Sequence, residues 1–428
     1  MKAKVESHVL DNGLTILTKE LHHVPLASHW IWYRVGSRNE VKGKTGISHW
    51  VEHMQFKGTP KYPVNVLDQA ISRDGGVWNA MTSLDWTTYF ETLPAHKIDI
   101  ALDLEADRML NSQFDKEETE LERTVVISER EGNENEPLFR LGEAVQHAAF
   151  EAHPYRNQVI GEMADLKSIT REGLYQHYRD HYAPNNALIA IAGDFDTGQV
   201  IKKITELYGG IQRQPAAAHI PAPEPTLQKP QRIEIEGPGD TIYLQLSYRS
   251  PQAASEDFFA LTVIDSLLSG PSSLSMMGGG SVSNKTSRLY QALIEKDLAV
   301  SISGGVQATI DPYLYELLAI LPPEKSTQAA LAAIDQEIAR LQQEKVSPQE
   351  LARAVKQARA LFAYGSESIT NQAFWLGYAS MFADYTWFET YIEKIEQVSA
   401  DQLLSFAQRC LDPERRIIGI YRPKNNRN

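Results

Sequence analysis

Alternating apolar and polar residues near the start of the chain predict β-structure. Asn12-Gly13 lies between two such alternating runs, and this dipeptide is the strongest short-range signal for a β-hairpin. Residues 29–33 continue as a strand, whereas the segments around 45–56, 97–111, 116–131 and 327–363 have the pattern of helices. Strands that meet in hairpins beside runs of helices indicate α+β layers around a mainly antiparallel sheet.

The two halves of the chain resemble each other at a nearly constant offset. Residues 75–77 (GGV) recur at 304–306, and 182–184 (YAP) are matched by 411–413 (LDP), both 229 residues later; 120–123 pair with 350–353 at an offset of 230. Three matches in the same order favour two copies of one domain. Between the copies, residues 215–230 hold five of the 21 prolines and are predicted to form an extended linker.

The expected fold is therefore α+β. It consists of two homologous α/β-roll domains, residues 1–214 and 231–428, each a mainly antiparallel sheet packed with helices. The Pro-rich linker at 215–230 joins them.

One predicted helix carries side chains that can bind a metal. Because a helix turns by ~100° per residue, His49, Glu52 and His53 share one arc of ~100°. Two histidines four residues apart can bind one zinc, and the glutamate before the second can serve as a base for the attacking water. This is H-x-x-E-H, the inverted zincin motif, although a lone helical histidine is more often structural or solvated. The opposite side of the helix is apolar: Ile47, Trp50, Val51 and Met54.

A catalytic zinc usually takes a third protein ligand. The predicted helix at 116–131 offers Glu122 and Glu129, which are seven residues apart and therefore within ~20° of each other on one face. Spacing alone does not choose between them, nor does it exclude Glu131 or Glu134. An acidic, solvated helix is the alternative interpretation.

Further segments carry a resemblance to a known family. They are 36–40 (GSRNE), 56–59 (FKGT) after the H-x-x-E-H helix, 79–83 (NAMTS) and 122–129 (ERTVVISE). With these the chain resembles the pitrilysin/insulinase-type zinc metallopeptidases, the inverzincins, and most closely the branch of mitochondrial processing peptidase and its bacterial relatives. The resemblance covers nearly the whole chain.

The resemblance implies a zinc metalloendopeptidase with one Zn²⁺ per chain. It selects Glu129, 76 residues after His53, as the third ligand, and implies that Glu122 hydrogen-bonds the site and orients a ligand. Glu52 would accept the proton of the attacking water and pass it to the leaving amine. The peptide substrate would lie extended along the strand at 76–82, bound by Asn79 and Ala80. Without the resemblance, Trp78 and Asn79 fit a core aromatic and a strand-end turn.

The second half lacks the corresponding chemistry. All 12 histidines lie at or before His219. In the sequence repeat, Glu122 corresponds to Ala352, and Glu129 corresponds to a position at about Arg359. Single-subunit-type members of the resembled family carry an arginine and a tyrosine that grip the substrate; here these positions hold Ile294 and Val300. Losing such donors typically costs ~10²–10³ in rate.

The chain is therefore expected to be the zinc-bearing subunit of a heterodimer whose paralogous partner supplies the Arg/Tyr pair, with a homodimer as the other arrangement. The Ser/Gly-rich insert at 269–283 resembles the glycine-rich loop of the family's non-catalytic subunit; its alternative is a flexible surface loop. The competing functional class is a non-catalytic scaffold or peptide-binding subunit of such a complex.

Composition and charge exclude several other classes of function and bear on the cellular location. With 55 acidic and 42 basic residues the net charge is −13, which argues against nucleic-acid binding and adsorption to anionic lipid. The single cysteine, Cys410, excludes an intrachain disulfide, and no apolar run approaches a membrane span. The first residues lack the apolar segment of a secretory signal, so the expected location is cytoplasmic, or periplasmic for a mature form without its leader.

Overall fold

The structure, a computed structural model, describes residues 4–215, 223–272, 274 and 282–424. Residues 216–222 of the predicted linker, and residues 273 and 275–281 of the predicted insert with its three consecutive glycines, lie outside the described residues. Among those described, no helix is both long enough and apolar enough to cross a bilayer.

Within the described residues, runs of strands and runs of helices follow one another along the chain. The strands are β1 (Val5–Val9), β2 (Thr15–Glu20), β3 (Leu26–Tyr33), β4 (Val77–Thr82), β5 (Thr87–Pro94), β6 (Ala187–Gly193), β7 (Gln231–Gly237), β8 (Ile242–Arg249), β9 (Ser301–Val306), β10 (Leu314–Leu321) and β11 (Arg416–Pro423). The α-helices are α1 (Ile47–Met54), α2 (Val64–Ser72), α3 (Ile98–Asn111), α4 (Lys116–Glu134), α5 (Pro137–Ala149), α6 (Met163–Ser168), α7 (Arg171–His181), α8 (Thr197–Tyr208), α9 (Glu256–Leu268), α10 (Thr327–Gln343), α11 (Pro348–Tyr364), α12 (Ile369–Phe382), α13 (Thr386–Glu396) and α14 (Ala400–Cys410).

The chain forms two compact units, each built on one sheet. Described residues within 1–132, 153–222 and 367–385 make the first unit, and those within 133–152, 223–366 and 386–428 make the second. Each unit thus includes a short piece from the other half of the sequence. The domain limits 1–214 and 231–428 stay a prediction about the sequence repeat.

Apart from β1, which adds an antiparallel edge strand to the first sheet, the two sheets have the same succession of pairings. The first sheet has the order β1-β2-β6-β3-β5-β4 and the second the order β7-β11-β8-β10-β9. In each, one parallel pair (β2 with β6, β7 with β11) is followed by three antiparallel pairs. The predicted α+β class, with two homologous domains on mainly antiparallel sheets, is confirmed. The β1–β2 hairpin around Asn12-Gly13 is also present.

The structure refines two details predicted from the sequence. The segment 327–363 is two helices, α10 and α11, because Ser347 caps the second helix by accepting a hydrogen bond from the Glu350 amide, and Pro348 occupies its first turn. The glycine pairs matched by the repeat are not equivalent, since Gly75-Gly76 precede β4 whereas Gly304-Gly305 lie inside β9.

One face of the first sheet is covered by α12, which packs across β3 and β6. The approach is close at Gly377, where an added Cβ would lie 1.9 Å from Nε1 of Trp32. Trp30 and Trp32 of β3 contact Phe374 and Tyr378 of this helix through their rings. The sheet's other apolar residues join the core that buries one side of α1, so the position of α1 is set by the main core of the unit.

Candidate metal centre

Helix α1 presents its polar side chains as one face. Ile47, Trp50, Val51 and Met54 are at most 3% exposed and anchor the helix in the core. The opposite face brings the rings of His49 and His53 to a centroid separation of 4.6 Å. This arrangement follows from the amphipathic pattern of the helix, because residues four apart are neighbours on a helix surface.

The beginning of α1 is held by a buried acid that sequence reasoning noted only as part of a motif. The carboxylate of Glu40 accepts hydrogen bonds from the Gly46 amide at 2.8 Å and the Ser48 amide at 2.9 Å. Burial raises the pKa of Glu40 to about 7, despite these two bonds. Gly46 has φ +84°, and an added Cβ would lie 2.4 Å from the Ile160 carbonyl oxygen, so the tight entry to the helix requires glycine there.

Helix α4 places a carboxylate beside both imidazoles. Oε1 of Glu129 lies 3.9 Å from Nε2 of His49, and its Oε2 lies 3.6 Å from Nε2 of His53. One ligand atom from each of the three residues can be chosen so that all lie within 4.8 Å of one another. Among the described residues this is the group of three that could hold a metal ion, so the geometry favours Glu129 over the acids left open by spacing.

Glu122, two helical turns earlier, lies behind His53. Its Oε1 is 2.8 Å from Nδ1 of His53, and its Oε2 is 2.5 Å from Nζ of Lys57. Burial raises the pKa of Glu122, but the hydrogen bonds from His53 and Lys57 outweigh burial and leave that pKa below its usual range. The ionised carboxylate can only accept, so His53 donates from Nδ1 and keeps the lone pair of Nε2 available for a metal.

The two histidines differ in their proton affinity. Burial, with a smaller contribution from His53, lowers the pKa of His49 to about 3, so its imidazole is neutral. Burial also lowers the pKa of His53, but the Glu122 hydrogen bond and the nearby carboxylates outweigh burial and raise it overall. Two imidazole nitrogens and a carboxylate oxygen are a common ligand set for catalytic zinc. The distances of 3.9 and 3.6 Å from Glu129 to the two histidines are below twice a zinc–ligand bond of ~2.0–2.2 Å, so one ion can lie between each of these pairs.

Glu52 lies between the two histidines in sequence and is 8% exposed. Its Oε2 accepts a hydrogen bond of 2.6 Å from the hydroxyl of Thr82. Burial raises the pKa of Glu52, while the Thr82 hydrogen bond and the charge of His53 act in the opposite direction. Thr82 belongs to the segment 79–83, and its sequence position predicts no contact with Glu52. Only the packing of α1 against β4 brings the two side chains together.

The predicted substrate-binding residues lie on β4, which pairs with β5 and is an edge of the first sheet. Oδ1 of Asn79 accepts a hydrogen bond from the Ala80 amide at 2.9 Å. Trp78 is half-buried, contacts Phe56 at a ring separation of 4.8 Å and donates from Nε1 to Asp68. Trp78 is therefore partly buried against the core, and Asn79 lies inside β4, which ends only at Thr82.

The second unit holds different side chains at the compared positions. Arg359 of α11 pairs with Glu396 at 2.7 Å, and Ala352 lies on the same helix. Val300 is 61% exposed, and its amide donates to the Ile320 carbonyl oxygen. These groups offer no substitute for an imidazole or for the arginine and tyrosine expected at Ile294 and Val300.

Known proteins share this architecture. Residues 15–163 match the family model described as "Insulinase (Peptidase family M16)", and residues 168–358 match that described as "Peptidase M16 inactive domain". The chain is similar to an uncharacterized zinc protease of Mycobacterium leprae, with 27% identity over 97% of this chain and 92% of the relative.

Two further similarities bear on the fold and on the sequence. A probable mitochondrial-processing peptidase subunit beta of Arabidopsis thaliana is 28% identical over 68% of this chain and 55% of that protein. The crystal structure of a protease from Helicobacter pylori superposes with a TM-score of 0.91 and 25% identity, covering 99% of this chain and all of the other.

Proposed function

Because this chain belongs to the insulinase-type peptidases of family M16, we propose that it is a zinc metalloendopeptidase that hydrolyses peptide bonds in extended or unfolded peptides. The observation that carries the proposal is the convergence of His49, His53 and Glu129 beside the buried carboxylate of Glu52. The order His49, Glu52, His53 on α1 is that of an inverzincin.

In this proposal one zinc ion per chain is held by His49, His53 and Glu129. Zinc, when bound, supplies a Lewis acid that polarises the scissile carbonyl and lets water react near neutral pH. The neutral imidazole of His49 and the free Nε2 of His53 suit this role, and Glu122 orients His53 through its Nδ1 proton. Lys57 in turn holds Glu122.

Glu52 is the proposed general base. It accepts the proton of the attacking water and then gives it to the departing amine, so its carboxylate must alternate between its two protonation states. Burial favours the protonated state of this carboxyl and so raises its basicity. A poorly solvated carboxylate beside the metal ligands is therefore suited to both halves of the reaction.

The open edge of β4 is the proposed binding site for the peptide backbone. An extended peptide could add to this edge as a further strand, held by main-chain hydrogen bonds that make few demands on sequence. In this mode Asn79 and Ala80 contact the substrate, and the Asn79 side chain gives up its present bond to the Ala80 amide.

A paralogous partner subunit would complete this site. The side chains of Ile294 and Val300 have no donor that could stabilise the developing negative charge, which motivates the heterodimer. The similarity to a protein named as a peptidase subunit beta is consistent with such an arrangement. A homodimer and a non-catalytic scaffold are the alternatives that experiment must separate.

The test combines metal analysis with peptide cleavage. Zinc content is measured in the purified full chain, and cleavage of a peptide library is compared between wild type, Glu52→Gln and the control Glu117→Gln, an exposed glutamate at the start of α4. Each is assayed with and without the paralogous subunit. One zinc per chain and loss of cleavage only in Glu52→Gln support the proposal. Wild-type protein without zinc supports the scaffold, and full activity unchanged by the second subunit contradicts the heterodimer.

A further inference from the structure

Resting on the proposed function, the geometry points to Thr82 as a positioning residue that aims the general base Glu52. Oγ1 of Thr82 lies 2.6 Å from Oε2 of Glu52. The neighbouring hydroxyl of Thr87 donates to the Val35 carbonyl oxygen at 2.8 Å and is 3.5 Å from Thr82. Since a hydroxyl has one proton, that of Thr87 is committed to Val35 and that of Thr82 is directed to Glu52.

Hydrogen bonds through residues 36 and 37 connect the end of the strand that carries Thr82 to the helix that carries Glu52. After β4 the chain turns through Ser83, whose carbonyl oxygen accepts from the Ser37 amide at 3.2 Å. Residues 36–38 are in turn bound to α1, because the hydroxyl of Ser48 donates to the Gly36 carbonyl oxygen at 3.2 Å. An added Cβ at Gly36 would lie 2.4 Å from the Ser83 carbonyl oxygen, so this contact depends on glycine.

These contacts give the segment 36–40 a structural role between the β4–β5 turn and α1. Gly36 and Ser37 tie the β4–β5 turn to α1, and Glu40 holds the first amides of the same helix. The distance between Thr82 and Glu52 is therefore set by backbone contacts rather than by the two side chains alone. Catalytic groups need this kind of external support to keep their geometry to within about 0.5 Å.

The consequence is that the two oxygens of Glu52 have different roles. Oε2 is occupied by the Thr82 hydroxyl, which leaves Oε1 to accept the proton of the attacking water. A glutamate side chain has several rotatable bonds, and without the hydroxyl its carboxylate would be free to sample orientations that do not face the water. The group that restricts it lies on the strand proposed to bind the peptide, so base and substrate are aligned by one structural element.

The test compares variants that remove or retain the hydroxyl. Thr82→Val removes the donor with little change in shape, and Thr82→Ser keeps it. Thr88→Val is the matched control, because the Thr88 hydroxyl on neighbouring β5 donates to the Ile31 carbonyl oxygen at 2.9 Å, away from Glu52. For each full-length variant, kcat, KM and zinc content are measured in the assembly that gives wild-type activity, together with Glu52→Gln.

We expect Thr82→Val to lower kcat by about 10- to 100-fold, the effect of a misplaced catalytic group. Its KM and zinc content should match wild type. Thr82→Ser should restore most of kcat, and Thr88→Val should leave kcat unchanged.

Wild-type kcat in Thr82→Val alongside an inactive Glu52→Gln would overturn the inference while leaving the proposed function intact. The inference is also overturned if Thr82→Ser is as slow as Thr82→Val, or if zinc content falls in parallel with activity. Failure of the proposed function is recognised separately, by wild-type protein that neither binds zinc nor differs in cleavage from Glu52→Gln.

Discussion

Nδ1 of His53 lies 2.8 Å from Oε1 of Glu122, so the imidazole is oriented from behind by a carboxylate that does not belong to the group of three candidate ligands. Lys57 lies 2.5 Å from the other oxygen of Glu122 and neutralises part of its charge. A histidine whose Nδ1 proton is held in this way presents Nε2 to a metal with little loss of rotational freedom on binding.

Replacing Glu122→Gln should therefore weaken zinc binding by about 10- to 100-fold, the usual effect of removing such an outer partner. Glutamine keeps the shape of the side chain but loses the charge that makes His53 a better electron donor. Zinc affinity is measured by competition with a chelator of known affinity. Glu120→Gln is the control on the same helix, because Glu120 is exposed and pairs with Arg123. Wild-type affinity in Glu122→Gln would mean that packing alone orients His53.

Sequence periodicity alone predicts the part of the candidate site that lies on one helix. The spacing of His49, Glu52 and His53 together with the apolar side of α1 predicts their common face, and the structure has it. The choice of Glu129 over Glu122 needed either the family resemblance or coordinates, because both acids lie on the same face of α4. Helical spacing carries no information about which turn of α4 lies opposite α1.

Contacts between residues far apart in sequence were beyond prediction. Thr82 and Glu52 are in contact because the end of an edge strand packs near a helix 30 residues earlier. No local sequence pattern predicts this contact. The packing of α12 against the first sheet is a further case, since a helix from the second half of the sequence covers β3. Its apolar composition predicts burial but not the partner.

A buried charge network in the first unit was equally invisible in the sequence. His29, Glu91, Glu105 and Arg108 are at most 1% exposed, although charged residues are seldom fully buried. Arg108 is hydrogen-bonded to Glu105 and lies over the ring of Tyr89 at 4.5 Å. Burial, strengthened by the nearby Glu91, raises the pKa of Glu105 well above its usual range, with Arg108 acting against this.

Arg108→Met should destabilise the protein by about 3–5 kcal/mol, because it breaks the buried pair with Glu105 and leaves that acid without its hydrogen-bonding partner. The double variant Glu105→Gln/Arg108→Met should regain part of that loss. The free energy of unfolding is measured with urea, using Arg73→Met, an exposed arginine in the same unit, as a control expected to change by less than about 0.5 kcal/mol. Equal midpoints for Arg108→Met and wild type would contradict a stabilising role for the pair.

The second unit contains a buried acid whose ionisation should make stability depend on pH. Burial raises the pKa of Asp265 to about 6, even though the hydroxyls of Ser269, Ser272 and Tyr315 donate to its carboxylate. Because this pKa is raised in the folded state, the protonated acid contributes stability that is fully present below pH 3.8 and is lost as pH rises through about 6.

Comparison with Asp265→Asn isolates this effect, since asparagine does not titrate. The unfolding free energy of wild type minus that of Asp265→Asn should fall by roughly 2.4 kcal/mol between pH 4 and pH 7. Urea unfolding of both proteins at several pH values gives the difference. Two stability profiles that run parallel across this range would show that Asp265 ionises in the folded state as easily as in the unfolded state.

A second pair of histidines provides a matched test of the zinc site. His177 and His181 of α7 have ring centroids 4.5 Å apart, against 4.6 Å for His49 and His53. Within the described part of the chain, however, only the α1 pair belongs to a group of three that could hold a metal. The two histidine pairs therefore have nearly the same ring separation. They differ in that the α1 pair has the carboxylate of Glu129 beside it.

Zinc should accordingly stabilise wild type and His181→Ala but not His53→Ala. A ligand that binds only the folded state at 100 times its Kd adds about 2.7 kcal/mol, so zinc raises Tm where the site is intact. Thermal unfolding is recorded for each protein after chelation and again with zinc restored. His181→Ala has a lower starting Tm, because it removes a buried side chain, but its zinc-induced shift should equal that of wild type. A shift that survives in His53→Ala and disappears in His181→Ala would place the metal on α7 instead of α1.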